Sequence, residues 1–204
     1  TVGAQWAGAV PGAGGAHAGQ MLSGGLKAAF LLNNEPAQDS AAGAGLDAAL
    51  AGASMVVTPS PFKANLDCSD VLLPIAPFTE TSGTFVNAEG RIQSFHAVVK
   101  PLGDTRPAWK VLRVLGNLLG LQGFEFESSQ EVLAHVGREQ TAGATHVSAD
   151  RLNNAVSAGV KLSAESDSTA AVPVVASIYA LDGLVRRAPS LQLTADARQA
   201  AGGV

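Results

Sequence analysis

A chain of 204 residues with 47% hydrophobic and 15% charged side chains is long enough to close one real core, or one domain with a trailing arm. Its formal net charge of -4, with signs mixed along the chain, leaves no basic stripe to follow a phosphate backbone, so no nucleic-acid partner is expected. The single cysteine, Cys68, makes neither an internal disulfide nor the thiolate set of an iron–sulfur cluster, and no apolar run approaches the ~20 residues that span a bilayer, so direct membrane insertion is not expected.

Thr1 to Gly25 is rich in Gly and Ala around Pro11, which predicts a loop. The opening Thr-Val-Gly and the closing Ala-Gly-Gly-Val read as cuts through a longer chain, so an internal fragment is expected, without a secretory signal at its start. Lys27 to Leu32 predicts a strand ending at Asn33, Asn34, Glu35 and Pro36. Leu46 and Leu50, four apart between Gly45 and Gly52, predict a helix over Leu46 to Ala53. Met55 to Thr58 predicts a second strand, closed by Pro59 and Pro61, and completes a right-handed parallel βαβ unit.

Val71 to Leu73 are consecutive apolar residues, as a strand buried on both faces requires, and Pro74 is expected to end it. The connection from Thr58 is only about a dozen residues, near the minimum for a parallel crossover, so a parallel strand and an antiparallel edge strand both stay open. Phe78 to Gly83 then supplies side-chain oxygens and a flexible backbone, suited to a loop at the carboxyl edge where open α/β sheets receive ligands. Thr84 to Val86 and Ile92 to Val99 are predicted to pair as a hairpin around Asn87 to Arg91, with Gly90 taking a positive φ.

Pro107 to Leu119 predicts the clearest helix, with Trp109, Leu112, Leu115 and Leu119 on one face and Gly120 placed to end it. Ser128 and Glu131 form the Ser-x-x-Glu start of another helix reaching about Gly137. From Gly143 onward Ala, Ser, Thr and Asp dominate, which predicts irregular structure with a helix near Asp150 to Ser157 and a strand over Pro173 to Leu181. The chain is thus expected to divide into an α/β domain over 1–140 and a weakly determined Ala-rich extension over 141–204.

The most informative segment runs from Val71 to Arg91, VLLPIAPFTETSGTFVNAEGR. An apolar strand ending in proline, a Glu and Gly turn, and then Gly83, Thr84, Asn87, Glu89 and Arg91 in a G-T-x-x-N-x-E-x-R arrangement resemble the molybdopterin oxidoreductase superfamily. Within it the likeness is sharpest to the large iron–sulfur subunit of bacterial respiratory complex I, the NADH:quinone oxidoreductase. PIAPFTETSGTFVNAEGRIQSF is followed at Val98 to Leu121 by VVKPLGDTRPAWKVLRVLGNLLGL and, less sharply, at Val185 to Ala197 by VRRAPSLQLTADA.

That resemblance implies an α/β, molybdopterin oxidoreductase-like domain: a mostly parallel sheet flanked by helices, a β-hairpin and a less regular C-terminal part. It implies a parent subunit that carries 2Fe–2S and 4Fe–4S clusters in its N-terminal part and passes electrons from NADH toward quinone. The implied partners are other peripheral-arm subunits, and the implied place is the cytoplasmic side of the bacterial inner membrane, held there through complex I. The cluster cysteines are absent here, so this portion is expected to be structural and catalytically inert alone, with no cofactor of its own and molybdopterin not expected. Two alternatives stand beside it: a formate-dehydrogenase-like molybdopterin oxidoreductase with a real cofactor site, and a non-catalytic α/β interaction module.

Asn87, Glu89 and Arg91 alternate by two, so in an extended backbone they project from one face. With Thr84 they are candidates for a vestigial pterin site, since amide, carboxylate and guanidinium suit a pterin ring or a phosphate; the other reading is a self-satisfied network that pins a turn. Glu80 among Thr79, Thr81 and Ser82 suggests a general base, yet no nucleophile accompanies it, and Ser54 lacks the final glycine of a nucleophile elbow. His17, His96, His135 and His146 lack metal-ligand spacing, so no catalytic or metal residue is expected. Gly43 to Ala48 imitates a dinucleotide fingerprint but lies about ten residues past its strand, and Gly12 to Gly19 lacks the Lys-Ser/Thr ending of a phosphate loop. Cys68 is expected to be a small buried residue and Trp109 core. Arg186 and Arg187 either anchor a partner carboxylate or solvate the chain after Asp182.

Overall fold

A computed structural model describes residues 2–40, 45–142 and 177–201. Among the described residues its organising element is a three-stranded parallel sheet, with β2 (Val56–Ser60) between β1 (Ala29–Phe30) and β3 (Val71–Pro74). Ala29 pairs with Val56 on one side, and Val57 to Ser60 pair with Val71 to Pro74 on the other. The third strand is therefore parallel, so the short connection from β2 suffices for the crossover.

Helix α4 (Gly45–Ala51) fills the first crossover and carries Leu50 onto β2, where Leu50 and Val56 are buried. Leu22, Leu26, Ala29, Leu31, Ala53 and Cys68 pack around that pair. Each fully buried Leu or Val side chain contributes about 1.5–3 kcal/mol relative to exposure. Cys68 is half-buried at the edge of this core, close to its expected place. Thr58, wholly buried in β2, satisfies its hydroxyl against Ser69 Oγ at 2.7 Å.

Two details of the sheet depart from the sequence expectation. Val71 to Leu73 do not form a strand buried on both faces: β3 is the sheet edge, Val71 is exposed, and Leu72 and Leu73 are half-buried. The doubly covered strand is β2, which continues through Pro59 to Ser60 instead of closing before Pro59. Pro59 is fully buried and its carbonyl accepts Asn33 N–H at 2.8 Å; it has no N–H to return, and the ladder goes on past it. Pro74 is tolerated on β3 for the ordinary reason that an edge strand leaves one side unpaired.

Beyond Pro74 the chain stays on the sheet. Ile75 N–H reaches Ser60 O at 3.2 Å, Ala76 N–H reaches Arg106 O at 2.9 Å, and both Ile75 and Ala76 are buried. Next comes a single 3-10 turn at Phe78–Glu80, and the hairpin follows as β4 (Gly83–Val86) paired antiparallel with β5 (Ile92–Phe95). Phe85 and Phe95 stack across it with centroids 4.8 Å apart.

Helix α5 (Ala108–Leu118) half-buries Trp109, Leu112 and Leu115 as the spacing predicts, while Leu119, just past its end, is exposed. Gly120 follows at φ +69, the left-handed stop expected there. Helix α6 (Ser129–Ala142) starts as predicted, with Ser128 Oγ accepting Glu131 N–H at 3.2 Å. Glu131 reaches back one residue further than a capping box requires, accepting Glu127 N–H at 2.8 Å. The helix runs on past Gly137 to Ala142.

Within the segment expected to be a loop, two short helices form: α1 (Val2–Trp6) and α2 (Ala18–Met21). The second exists because His17 acts as its cap, Nδ1 accepting Gln20 N–H while Gln20 Oε1 accepts His17 N–H. A short helix α3 (Pro36–Asp39) opens on Pro36 after β1. At the C-terminal end a 3-10 turn at Val185–Arg187 leads to α7 (Pro189–Gln192) and α8 (Ala195–Ala201). The helix near Asp150 to Ser157 lies outside the described residues, as does the first part of the strand over Pro173 to Leu181; its remainder, from Ser177, is turn. No described helix is long and apolar enough to cross a membrane. A parallel sheet with helices and a small antiparallel pair make the chain α/β.

Candidate functional site

The hairpin places the Thr84, Asn87, Glu89 and Arg91 set, and it does not place them as extended-chain spacing implies. Asn87 Oδ1 accepts two backbone N–H groups, from Glu89 at 3.0 Å and Arg91 at 2.8 Å. Asn87 N–H donates to Arg91 O at 3.1 Å, and Gly90 N–H to Asn87 O at 3.0 Å. This is an Asx-type turn closed by Gly90 at φ +78, the positive φ expected of it. The backbone curls, so the period-two argument for a shared face does not apply.

Thr84 sits back on β4, its hydroxyl hydrogen-bonded to Ser94 Oγ across the ladder at 3.1 Å. Glu89 and Arg91 are exposed at the turn. The arrangement fits the self-satisfied turn. Asn87 has spent its oxygen on backbone, Thr84 is paired with Ser94, and the two charged groups stand in solvent. No catalytic step through a pterin follows from these four residues.

Gly83 has a separate reason to be glycine. A Cβ there would lie 2.8 Å from the Phe95 ring that crosses it, so any side chain would force that ring to shift. Glu80 is likewise occupied: its Oε2 accepts Leu102 N–H at 2.9 Å and ties the loop before α5 to the turn after β3. It therefore acts as a clamp for backbone. Nearby, Ser82 Oγ and Ser129 Oγ bond at 2.8 Å, joining the turn between β3 and β4 to the start of α6.

The carboxyl edge of the sheet opens into a cleft of about 840 Å³. Asn33 after β1, Phe62 after β2 and Ile75 after β3 line it, with Phe95 and Trp109 from the hairpin and α5. This is where an open α/β sheet ordinarily meets a ligand. Here the chain's own C-terminal segment reaches it. Arg186 Nη1 donates to Glu35 Oε2 at 3.2 Å and to Gln38 Oε1 at 2.6 Å, and its Nη2 donates to Asp39 Oδ1 at 2.6 Å. Arg187 Nη1 lies 2.8 Å from Glu35 Oε1, its Nη2 donates to Glu35 Oε2 at 2.9 Å, and its guanidinium lies 3.9 Å from the Phe62 ring centre.

Neither reading of Arg186 and Arg187, a partner's carboxylate or plain solvation, is what the structure has: both anchor carboxylates of this same chain. Two acids face two guanidinium groups, so the cluster is internally neutral. Sequence reasoning missed the acidic half. The available signal was Glu35 and Asp39 directly after a predicted strand, four apart on either side of Pro36 and next to the ligand edge. Among the described residues no group of His, Cys, Asp and Glu is placed to hold a metal ion. The dinucleotide-like glycines begin at Gly43, outside the described residues.

Comparison with known proteins bears on the whole arrangement. Residues 1–118 match the molybdopterin oxidoreductase family. Over 70 residues the chain is 39% identical to provisionally named formate dehydrogenases of Staphylococcus aureus, strains USA300, NCTC 8325 and COL. Each match covers 34% of this chain and 7% of the relative's length. Members of this family usually bind molybdopterin, which weighs against the expectation, drawn from the resemblance, that the cofactor is not held here. Of the four motif residues, Thr84 lines the carboxyl-edge cleft, while Asn87, Glu89 and Arg91 sit at the hairpin turn. With more than half of its length matching and an α/β sheet of parallel strands at its centre, the chain belongs to the molybdopterin oxidoreductase family.

Proposed function

We propose that this chain is the molybdopterin oxidoreductase-type α/β domain of the large iron–sulfur subunit of a bacterial NADH:quinone oxidoreductase, and that its role there is structural. The observation that carries the structural role is the Asn87 turn. The Asn87 amide oxygen, the polar atom at the centre of the motif, is taken up by two backbone N–H groups in closing a hairpin. Support for the particular subunit comes from the continuous wording of Pro74 to Phe95 and Val98 to Leu121, which resembles that subunit on both sides of the motif. The parent's iron–sulfur clusters would carry the electrons, and this domain would pack beside their path against other peripheral-arm subunits. Its place would be the cytoplasmic side of the inner membrane, attached through those partners.

A second reading is favoured by the relatives. A formate-dehydrogenase-like enzyme would share the family and the 39% identity, and its pterin would be held by residues other than the Asn87 turn. The full-length parent, purified with whatever accompanies it and assayed for molybdenum, for NADH:quinone turnover and for formate oxidation, separates the two. Respiratory subunits, NADH-dependent turnover and no molybdenum support the complex I reading. Stoichiometric molybdenum with formate oxidation overturns it. A parent with neither activity and no respiratory partner leaves an α/β interaction module.

A further inference from the structure

Arg186 is the most enclosed charged side chain of the ion-pair cluster: only 8% of it is exposed, against 13% for Glu35 and 26% for Asp39. Such enclosure strips hydration at a large cost unless most of the guanidinium's N–H groups find acceptors. They do. Nη1 meets Glu35 and Gln38, Nη2 meets Asp39 and the Leu181 carbonyl at 3.5 Å, and Nε meets Asp182 O at 3.4 Å. The acceptors on α3 and at its start are spread across the planar fork of a guanidinium, a shape an ammonium does not match.

The segment that delivers Arg186 is itself built for the task. Asp182 Oδ1 accepts the N–H groups of Leu184 and Val185 at 2.8 and 3.0 Å, turning the chain, and Arg186 N–H returns to Asp182 O at 2.9 Å. Gly183 passes against Phe62, where an added Cβ would come within 3.2 Å of the ring, while Arg187 covers the ring's face. Leu181, Asp182, Gly183 and Leu184 all line the carboxyl-edge cleft.

We propose that Leu181 to Arg187 is a strap clamped along one wall of the carboxyl-edge cleft, and that the pocket formed by Glu35, Gln38 and Asp39 is a guanidinium-recognition site served in cis by Arg186. This deepens the structural reading above and rests on it only in giving this edge a built-in structural element.

The test is hydrogen exchange on the full-length parent, read on peptides covering 181–188 and, as an internal control, the β2 strand at 56–60. Arg186→Ala is expected to speed exchange of the strap amides at least ten-fold with β2 protection unchanged. Millimolar ethylguanidinium is expected to restore strap protection, and ethylammonium at the same concentration is not. Unchanged strap exchange in the variant overturns the proposal. So does equal rescue by both cations, which would reduce the site to a generic negative potential. If Arg186→Ala loosens β2 as well, Arg186→Lys decides: charge without the fork is expected to leave β2 protected and the strap loosened, and a strap as protected as wild type overturns the proposal. These readouts are local protection, so they can fail while NADH turnover and molybdenum content stand, and the reverse.

Discussion

Asn87 and Arg91 face each other across a turn: the Asn87 side-chain oxygen accepts Arg91 N–H at 2.8 Å, and Asn87 N–H donates to Arg91 O at 3.1 Å. Two residues whose spacing suggests a shared binding face are instead the two sides of a closure. Asn87→Ala removes the acceptor for two backbone N–H groups and is expected to cost about 1–2 kcal/mol. Asn87→Asp keeps an oxygen in place and is expected to cost less than half as much. Gly90→Ala puts a Cβ on a φ of +78 and should cost about 1 kcal/mol. Urea unfolding of the three variants checks the order, and an Asn87→Ala variant as stable as wild type would remove the turn's claimed role.

Gly116 and Phe124 are packed so closely that the Phe124 ring occupies the space where a Gly116 side chain would begin. Gly116 is the buried residue of α5, and the close approach lets the chain after Gly120 fold back on the helix, where Asn117 Nδ2 donates to Phe124 O at 3.3 Å. Gly116→Ala is expected to destabilise by about 1–3 kcal/mol through overpacking. Combined with Phe124→Leu the two changes should be less than additive, with a coupling of about 0.5 kcal/mol or more. Thermal or denaturant unfolding of the four-member cycle measures this, and strict additivity would show that the ring moves aside freely.

Glu80 separates a backbone clamp from a general base. Since a glutamine side chain still offers Leu102 N–H an oxygen, Glu80→Gln is expected to keep both stability and the parent's turnover near wild type. Glu80→Ala is expected to lower stability by about 1 kcal/mol by leaving that N–H without its partner. A Glu80→Gln parent that assembles normally but turns over a hundred-fold slower would contradict the clamp.

The parts of this fold legible in the sequence are those set by neighbours in the chain. β1 and β2, α4, α5 with its Gly120 stop, and the Ser128 start of α6 all follow from local periodicity and capping, and the structure has each within a few residues. The failures are tertiary. Val71 to Leu73 carry the apolar run of an interior strand but sit at an edge, because strand order is decided by crossover direction and not by composition. Pro59 has the sequence signature of a stop, yet it lies inside β2, since one missing N–H costs a single ladder bond. At the site, the residues of the motif are legible and their geometry is not. Period-two spacing assumes an extended backbone, and Asn-x-Glu-Gly-Arg is equally a turn sequence. The Glu35 and Arg186 pairing spans 151 positions, and nothing local announces it.

In the proposed role the motif holds structure and touches no chemistry. The most direct test is Arg91→Ala in the full-length parent, assembled with its partners and compared at equal complex content. Turnover per assembled complex is predicted to be unchanged, with any loss confined to the amount or thermal stability of what assembles. Normal assembly with turnover lowered ten-fold or more would contradict the structural role and return Arg91 to a working site.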